Sequence, residues 1–417
     1  MPPARPLVLA FALSALSLSA HAEDWLQWRG PTGDNHAPAG ATAPVDWSES
    51  DGLAWKTAIP GRGHSSPTLV GDRIYLTTAD DTKQTQSLLI LDRQTGRLIN
   101  EVLTSTGGFP ERIHPNNTNA SPTVASDGKR VFALFCHDDA AFVTAYDLFG
   151  NRLWEKRVGG FDPQQYQFGF GSSPRIVDGL LVLSTEYDGP ESGIYAVDPA
   201  TGEPVWSADR PDQLSYSTPA VATVGGSNQL LMSGNNQLAA YDARTGRELW
   251  STAGSARATC GTMVWDTSLG LAFASGGYPN PFTLAVQLDG DHDIVWQNNT
   301  KCYEQSMLVV DDHVYAVSDS GVAYCWRGSD GEEQWKRRLG GKFSSSPVLV
   351  DGKVYVTSEQ GTMHVFEANP NRFVALGENQ LGDSGFATPT PADGRLYHRY
   401  AVNEAGGRQE YLVAIGE

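Results

Sequence analysis

Ser217–Trp250 reads STPAVATVGGSNQLLMSGNNQLAAYDARTGRELW. Apolar runs at Ala220–Val224, Leu230–Met232, Leu238–Tyr241 and Glu248–Trp250 are separated by Gly225-Gly226, Asn235-Asn236 and Asp242–Gly246. Four short runs punctuated by three turn signals predict a four-stranded antiparallel meander. Similar stretches recur along the chain. Prolines in a Ser/Thr-Pro step fall at Pro67, Pro122, Pro174, Pro219, Pro347 and Pro389, and Met263 and Met307 take that place in two further copies. The successive gaps are 55, 52, 45, 44, 44, 40 and 42 residues. Eight copies at this period, each a small sheet, predict an all-β, eight-bladed β-propeller with one copy per blade.

The first turn recurs as Gly71-Asp72, Asp127-Gly128, Asp178-Gly179, Asp351-Gly352 and Asp393-Gly394, pairs that tolerate the positive φ of a tight hairpin. Four residues past the glycine of the last turn stands a tryptophan in four copies, Trp154, Trp206, Trp250 and Trp335. An even offset along a strand keeps one face, so these rings are expected to wedge between neighbouring sheets. Asn100 takes this position in the first copy and Trp296 is displaced by two, which predicts different outer-edge packing in those blades.

The last copy stops at Glu417, one strand short. Trp55 precedes Pro67 by 12 residues, as Trp335 precedes Pro347, so Leu53 to Thr57 are expected to supply the outer strand of the last blade. Pairing the two ends leaves no open sheet edge. Residues 52–417 then form one propeller domain.

Two segments of other kinds precede it. Residues 1–22 hold Arg5, an apolar stretch from Leu7 to Leu18 and Ala20-His21-Ala22, which fits a secretory signal cleaved before Glu23 and predicts a periplasmic or secreted protein. That stretch is too short for a membrane anchor. Residues 23–51 carry Trp25, Trp28 and Trp47, more tryptophan than a disordered linker uses, and are expected to lie along the propeller surface as an arm.

The chain has 30 basic and 48 acidic residues, a net charge of −18, which argues against nucleic-acid and anionic-membrane partners. Cys260 and Cys302 precede the inner strands of adjacent blades, close enough in this plan for a disulfide; Cys136 and Cys325 belong to distant blades.

Residues just ahead of each inner strand form a ring around one funnel. They are Arg62 and His64; Arg112, His114, Asn117 and Asn119; Gln167 and Phe168; Tyr216; Thr259 and Cys260; Glu304 and Gln305; Lys342 and Phe343; and Phe386. Polar groups converging on a concavity predict a ligand-binding site. The competing reading is that they satisfy backbone groups around a wet channel. Gly169-Phe170-Gly171-Ser172 precedes a strand, so it has no helix N-terminus with which to hold phosphate.

Ala240-Tyr241-Asp242-Ala243-Arg244-Thr245-Gly246-Arg247-Glu248-Leu249-Trp250 resembles the tryptophan-docking repeat of pyrroloquinoline-quinone (PQQ) propellers, as do Ala196 to Trp206 and Ala145 to Trp154. Trp25 to Pro31 resembles the opening of exported PQQ-like proteins. The resemblance implies a structural role for Trp55, Trp154, Trp206, Trp250, Trp296 and Trp335. It implies one of two functions, a binding scaffold of the BamB-like kind or a quinoprotein dehydrogenase. The dehydrogenase class would bring PQQ and calcium, with Glu304, Asn117 and Asn119 as ligands by residue type. That class has two adjacent cysteines under the cofactor, and this chain has no Cys-Cys pair. The leading expectation is therefore a binding propeller for a protein or small molecule, without catalysis.

Overall fold

The computed structural model describes residues 23–211 and 214–416; the expected signal segment lies outside them. Eight four-stranded antiparallel sheets make up the ring. In seven of them four consecutive strands run in order from the axis outward, as in Ala220–Val224, Ser227–Gly234, Gln237–Asp242 and Glu248–Ala253 of blade 4. Blade 8 is composite: Thr390–Ala392, Arg395–Glu404 and Gly407–Ile415 are completed by Leu53–Ile59. Trp55 pairs with Ala414 and Ile59 with Glu410, so the ring closes through its two ends as the Trp55–Pro67 spacing predicts.

Burial follows position in the blade. A middle strand has a neighbouring sheet on each side, and Leu180–Thr185 is buried at all but its first residue. An outer strand lies at the rim, and Pro204–Asp209 is exposed or half-buried throughout. The hairpin turns use the backbone that only a few residues accept: Asp351 and Gly352 have φ of 49° and 69°.

The blades are joined by the recurring tryptophans. A Cβ on Gly96, Gly202, Gly246 or Gly331 would strike the indole of Trp55, Trp154, Trp206 or Trp296 from the preceding blade. The turn glycine is therefore the seat of its neighbour's ring. Trp55, Trp154, Trp296 and Trp335 also donate Nε1–H to a carbonyl of that next blade, at 3.2, 3.2, 2.7 and 2.8 Å. Trp296 departs from expectation. It pairs with Ala285 as Trp250 pairs with Ala240, because a turn one residue longer (Gln287 N–H to Asp293 O, against Asp242 N–H to Arg247 O) restores the register. That longer turn brings His292 onto Trp250, the rings stacking at 4.7 Å. In blade 1, Asn100 faces Gly150 together with Ile90 and Val102.

Around the axis, hydroxyls close the gaps between inner strands. Ser66, Thr123 and Ser173 each donate a backbone N–H to the hydroxyl of the next blade (Thr123, Ser173, Thr218) at 2.9–3.0 Å. Thr262, Ser306 and Ser346 do the same to Ser306, Ser346 and Thr388. This belt is the physical content of the Ser/Thr-Pro repeat. In blade 2 its member is Thr123, one position after the Pro122 that the repeat points to, while Ser121 bonds Asn117 Oδ1 at 2.6 Å.

The arm does not lie along the outer surface. It crosses the axial channel, because the inner strands expose backbone groups there that need partners. Trp25 and Leu69 exchange both backbone bonds at 3.0 Å, and Leu26 O accepts from Ser126 N at 2.7 Å. Gln27 Oε1 accepts from Ile176 N, Trp28 Nε1 donates to Thr262, Arg29 to Met307 O, and Asn35 Nδ2 to Pro347 O. Thus the eleven positions from Trp25 to Asn35 reach the inner edges of blades 1, 2, 3, 5, 6 and 7 in turn. Trp25 and Trp47 are 2% and 7% exposed, and the arm's second half passes over blade 7, where Trp47 N bonds Asn379 Oδ1 at 2.9 Å.

Arg29 is the centre of this stopper. Its guanidinium is buried and donates to the carbonyls of Gly33, Asp34 and Met307 at 3.1, 2.9 and 2.9 Å. Replacing it by alanine leaves those acceptors without their donor. Arg29→Ala is expected to lower stability by about 3 kcal/mol, read as a fall in thermal midpoint; an unchanged midpoint would show that the arm contributes nothing to the ring.

His398, in the second strand of blade 8, is 1% exposed and neither ring nitrogen has a partner. Burial pushes its pKa down to about 4. Between the ordinary value of about 6.5 and that value, the unfolded chain binds a proton that the folded chain refuses. Stability is therefore intact above the unfolded pKa and falls as pH drops through this window, by about 3 kcal/mol at its lower end. The thermal midpoint of His398→Phe should fall less steeply from pH 7 to pH 4.5 than that of the natural chain, with His36, His64 and His364, also shifted down, supplying the remaining slope. Equal slopes would contradict this.

Candidate functional site: a blind aromatic funnel

At the end of the ring where the inner strands begin, the linkers between blades surround a cavity of about 360 Å³. Trp28 from the arm lines it, so the channel is stoppered and the cavity is a cup. Of the ring predicted from sequence, His64, His114, Asn117, Phe168, Tyr216, Cys260, Glu304 and Phe386 line this cup.

The others do not. Arg112, Asn119 and Gln167 line a second cavity of about 340 Å³ between the loops of blades 2 and 3, because the long linker of blade 2 folds outward before its inner strand starts. Arg62 turns away to donate to Pro115 O at 2.9 Å. Gln305 is 1% exposed and donates to Val317 O at 2.7 Å, the structural role of satisfying backbone. Thr259 and Phe343 are buried, Thr259 donating to Ser233 O at 2.8 Å, and Lys342 is exposed; none of the three lines either cavity. Sequence reasoning missed Trp28, Tyr278, Lys301 and Tyr303. Trp28 comes from the arm and Tyr278 from a hairpin of blade 5, where Ala258 and Tyr278 exchange backbone bonds at 3.2 Å. The clustered tryptophans of Trp25 to Pro31 are the signal that could have found the first.

Cys260 and Cys302 are free thiols, contrary to the expected bridge. Cys302 is fully buried, packed among blade 5 and 6 residues such as Val264 and Met307, with its N–H on Ser275 Oγ at 3.1 Å. Cys260 instead faces the cup, its N–H on Tyr303 O at 3.3 Å. Adjacent blades bring the backbones together, but the side chains serve different compartments.

One wall of the cup is aromatic. Phe168 lies 5.6, 6.0 and 5.7 Å from the rings of Tyr166, Tyr216 and Tyr278, and His114 meets its edge at 5.7 Å. Opposite, His64 stacks on Phe386 at 4.5 Å with its Nε2 buried and unpartnered. Burial drives the ionisable groups here towards their uncharged forms. The imidazole of His64 is held well below its usual range by burial and by Arg62, Arg399 and Arg408 behind it. Burial raises the Glu304 carboxyl, with Glu359 and Asp319 acting in the same direction, and raises the Cys260 thiol and the Tyr216 and Tyr303 phenols. A concave site with several perturbed groups is where binding chemistry is expected.

The donor set does not fit calcium and PQQ. Glu304 and Asn117 line the cup, but Asn119 lies in the other cavity, donating to Asp81 at 2.9 Å. Asn117 Oδ1 already accepts from Thr118 N and Ser121 Oγ at 2.8 and 2.6 Å. Among the described residues, His, Cys, Asp and Glu form no group of three or more able to hold a metal ion. The quinone carries several carboxylates, and the lysine that lines the cup, Lys301, is already 3.3 Å from Asp319.

Known proteins agree on the fold. The chain is similar to BamB from Moraxella catarrhalis (TM-score 0.60, 13% identity, 87% of this chain and 99% of that one). It is similar also to the quinohemoprotein alcohol dehydrogenase ADHIIG from Pseudomonas putida HK5 (TM-score 0.62, 13% identity, 94% of this chain and 80% of that one). Among curated sequences it is 25% identical over 359 residues to the serine/threonine-protein kinase AfsK of Streptomyces coelicolor, covering 82% of this chain and 39% of that protein. The chain thus spans about two fifths of the length of that relative. The family described as outer membrane protein assembly factor BamB matches residues 39–160, 84–277 and 281–372. With its eight PQQ-like blades and matches across most of its length, the chain belongs to this BamB family of propellers.

Proposed function

We propose that the chain is an exported binding propeller that takes a ligand into its funnel and does not transform it. The observation that carries this reading is the stopper: the arm turns an axial channel into a cup with an aromatic wall and a ring of polar side chains, the form of a small-molecule site. The groups in the cup suit binding better than reaction. The Cys260 thiol, pushed up by burial, stays protonated and is a poor nucleophile, and His64 is held neutral with Arg62, Arg399 and Arg408 opposing its protonation. A protein partner that inserts a side chain into the cup would use the same site.

Export is supported by the sequence before Glu23 and by the contacts of Glu23 itself. Its N lies 2.8 Å from Asp393 Oδ1. Cleavage between Ala22 and Glu23 would place a charged amino group on that carboxylate, a stronger bond than the amide makes. Among the described residues no helix is long and apolar enough to cross a membrane.

Two measurements check the reading. The protein recovered from its native cell should begin at Glu23 by mass spectrometry; an uncut terminus would refute export through this signal. Incubated with calcium and PQQ, the purified protein should retain no chromophore and reduce no dye with alcohols or sugars. Retained quinone with dye reduction would make it a dehydrogenase instead.

A further inference from the structure

The cup's chemistry points to the kind of ligand it takes. Tyr303 lies beside the Glu304 carboxyl, and Tyr216 and Tyr278 line the same cup, packed on Phe168. The protein's own lysine shows what that corner prefers: Lys301 Nζ lies 5.0 Å from the centre of the Tyr303 ring and 3.3 Å from Asp319. Asp319 and Glu359 outnumber Lys301 here, so this corner is net negative even where the Glu304 carboxyl holds its proton. An aromatic face attracts a cation through its quadrupole, the more so where water is excluded, and a desolvated carboxylate adds to it. An anionic ligand would meet both as repulsion. The body as a whole carries a net charge of −18, which draws cations towards it and repels anions. The arginines that balance this, Arg62, Arg399 and Arg408, stand behind His64 and do not line the cup.

We propose that the funnel binds an organic cation, an ammonium group carried on an apolar or aromatic body, with Glu304 as its counter-ion and the tyrosines as its cage. This inference rests on the funnel being the ligand site. The ammonium would sit against Glu304 and Tyr303, and the body against Phe168 and Tyr278. Glu304 is faced by Lys301 and Tyr303 from its own linker, by Cys260 from blade 5, by Asp319 from blade 6 and by Ser344 and Glu359 from blade 7. Burial and its acidic neighbours raise the Glu304 carboxyl, a bound cation favours its ionised form, and affinity should therefore rise with pH until the carboxyl is fully ionised.

Calorimetry with choline and with its uncharged isostere 3,3-dimethylbutan-1-ol, with benzoate as the anionic control, tests this. Choline should bind about tenfold or more tighter than the alcohol, and benzoate should not bind. Glu304→Gln should remove most of that preference. Tyr278→Ala, at a half-exposed position that tolerates truncation, should weaken choline more than the alcohol. Equal binding of choline and the alcohol, preference for benzoate, no choline binding up to about 10 mM, or an unaltered preference in both variants would overturn the cation inference. Gly171→Leu separates this from the site itself, since Gly171 lines the cup with only Tyr216 near its missing side chain. Binding that survives the filled cup would place the ligand elsewhere and refute the funnel reading; binding lost there but indifferent to charge would refute only the cation.

Discussion

A closed ring of sheets turns eight inner strands edge-on to an axis, and each carries backbone N–H and C=O groups that no neighbour in its own sheet can use. Leaving such groups buried and unpaired costs about 1–3 kcal/mol apiece, so the axis has to be filled with partners. This chain fills it twice. Hydroxyls from one blade accept the amides of the one before, in two runs of three bonds, and the arm threads across what remains. At four junctions the outer circumference is held by a separate device, the indole of Trp55, Trp154, Trp206 or Trp296 seated on the next blade's turn glycine. Both devices act between blades, which makes a ring of small sheets behave as one domain.

The functional geometry follows from that axial solution. Because Trp28 and Arg29 occupy the channel, the funnel has a floor and its lining is shielded from water on one side. Shielding explains why a histidine, a glutamate, a cysteine and two tyrosines all shift towards their neutral forms in one small cup. Sheltered, and aromatic along one wall, the cup suits recognition, and the Glu304 carboxyl that lines it acquires a large influence on what charge it accepts. The family relationship is to BamB propellers, and the likeness to quinoprotein dehydrogenases extends to the fold alone at 13% identity.

What was legible in the sequence is whatever depends on short-range pattern. Blade number, turn chemistry and the role of Trp55, Trp154, Trp206, Trp250 and Trp335 follow from a period and an offset, and closure follows from the 12-residue spacing of Trp55 and Pro67 repeated at Trp335 and Pro347. Pattern failed where a loop changes length. The extra turn residue before Trp296 hid an equivalent position, and the repeat pointed to Ser121, two residues before the belt hydroxyl of Thr123, because both flank Pro122. The site was half legible. Linker position brought His64, His114, Asn117, Tyr216 and Glu304 to the cup, but it also gathered Arg112 and Asn119, whose linker bulges outward, and Gln305, whose amide turns inward to a carbonyl. The path of the arm was illegible because it is set wholly by tertiary need: Trp25 to Asn35 read as a loop, and only the unpaired strand groups say where that loop must go.

Native-state hydrogen exchange tests this account most directly, by following the amides of Leu69, Ser126, Ile176 and Leu349, whose acceptors lie in the arm. If the arm is integral to the ring, these amides exchange only through global unfolding, as slowly as the middle-strand amides of the same blades. Exchange orders of magnitude faster than those middle strands, with the rest of the ring still protected, would show that the arm detaches on its own and that the cup has no permanent floor.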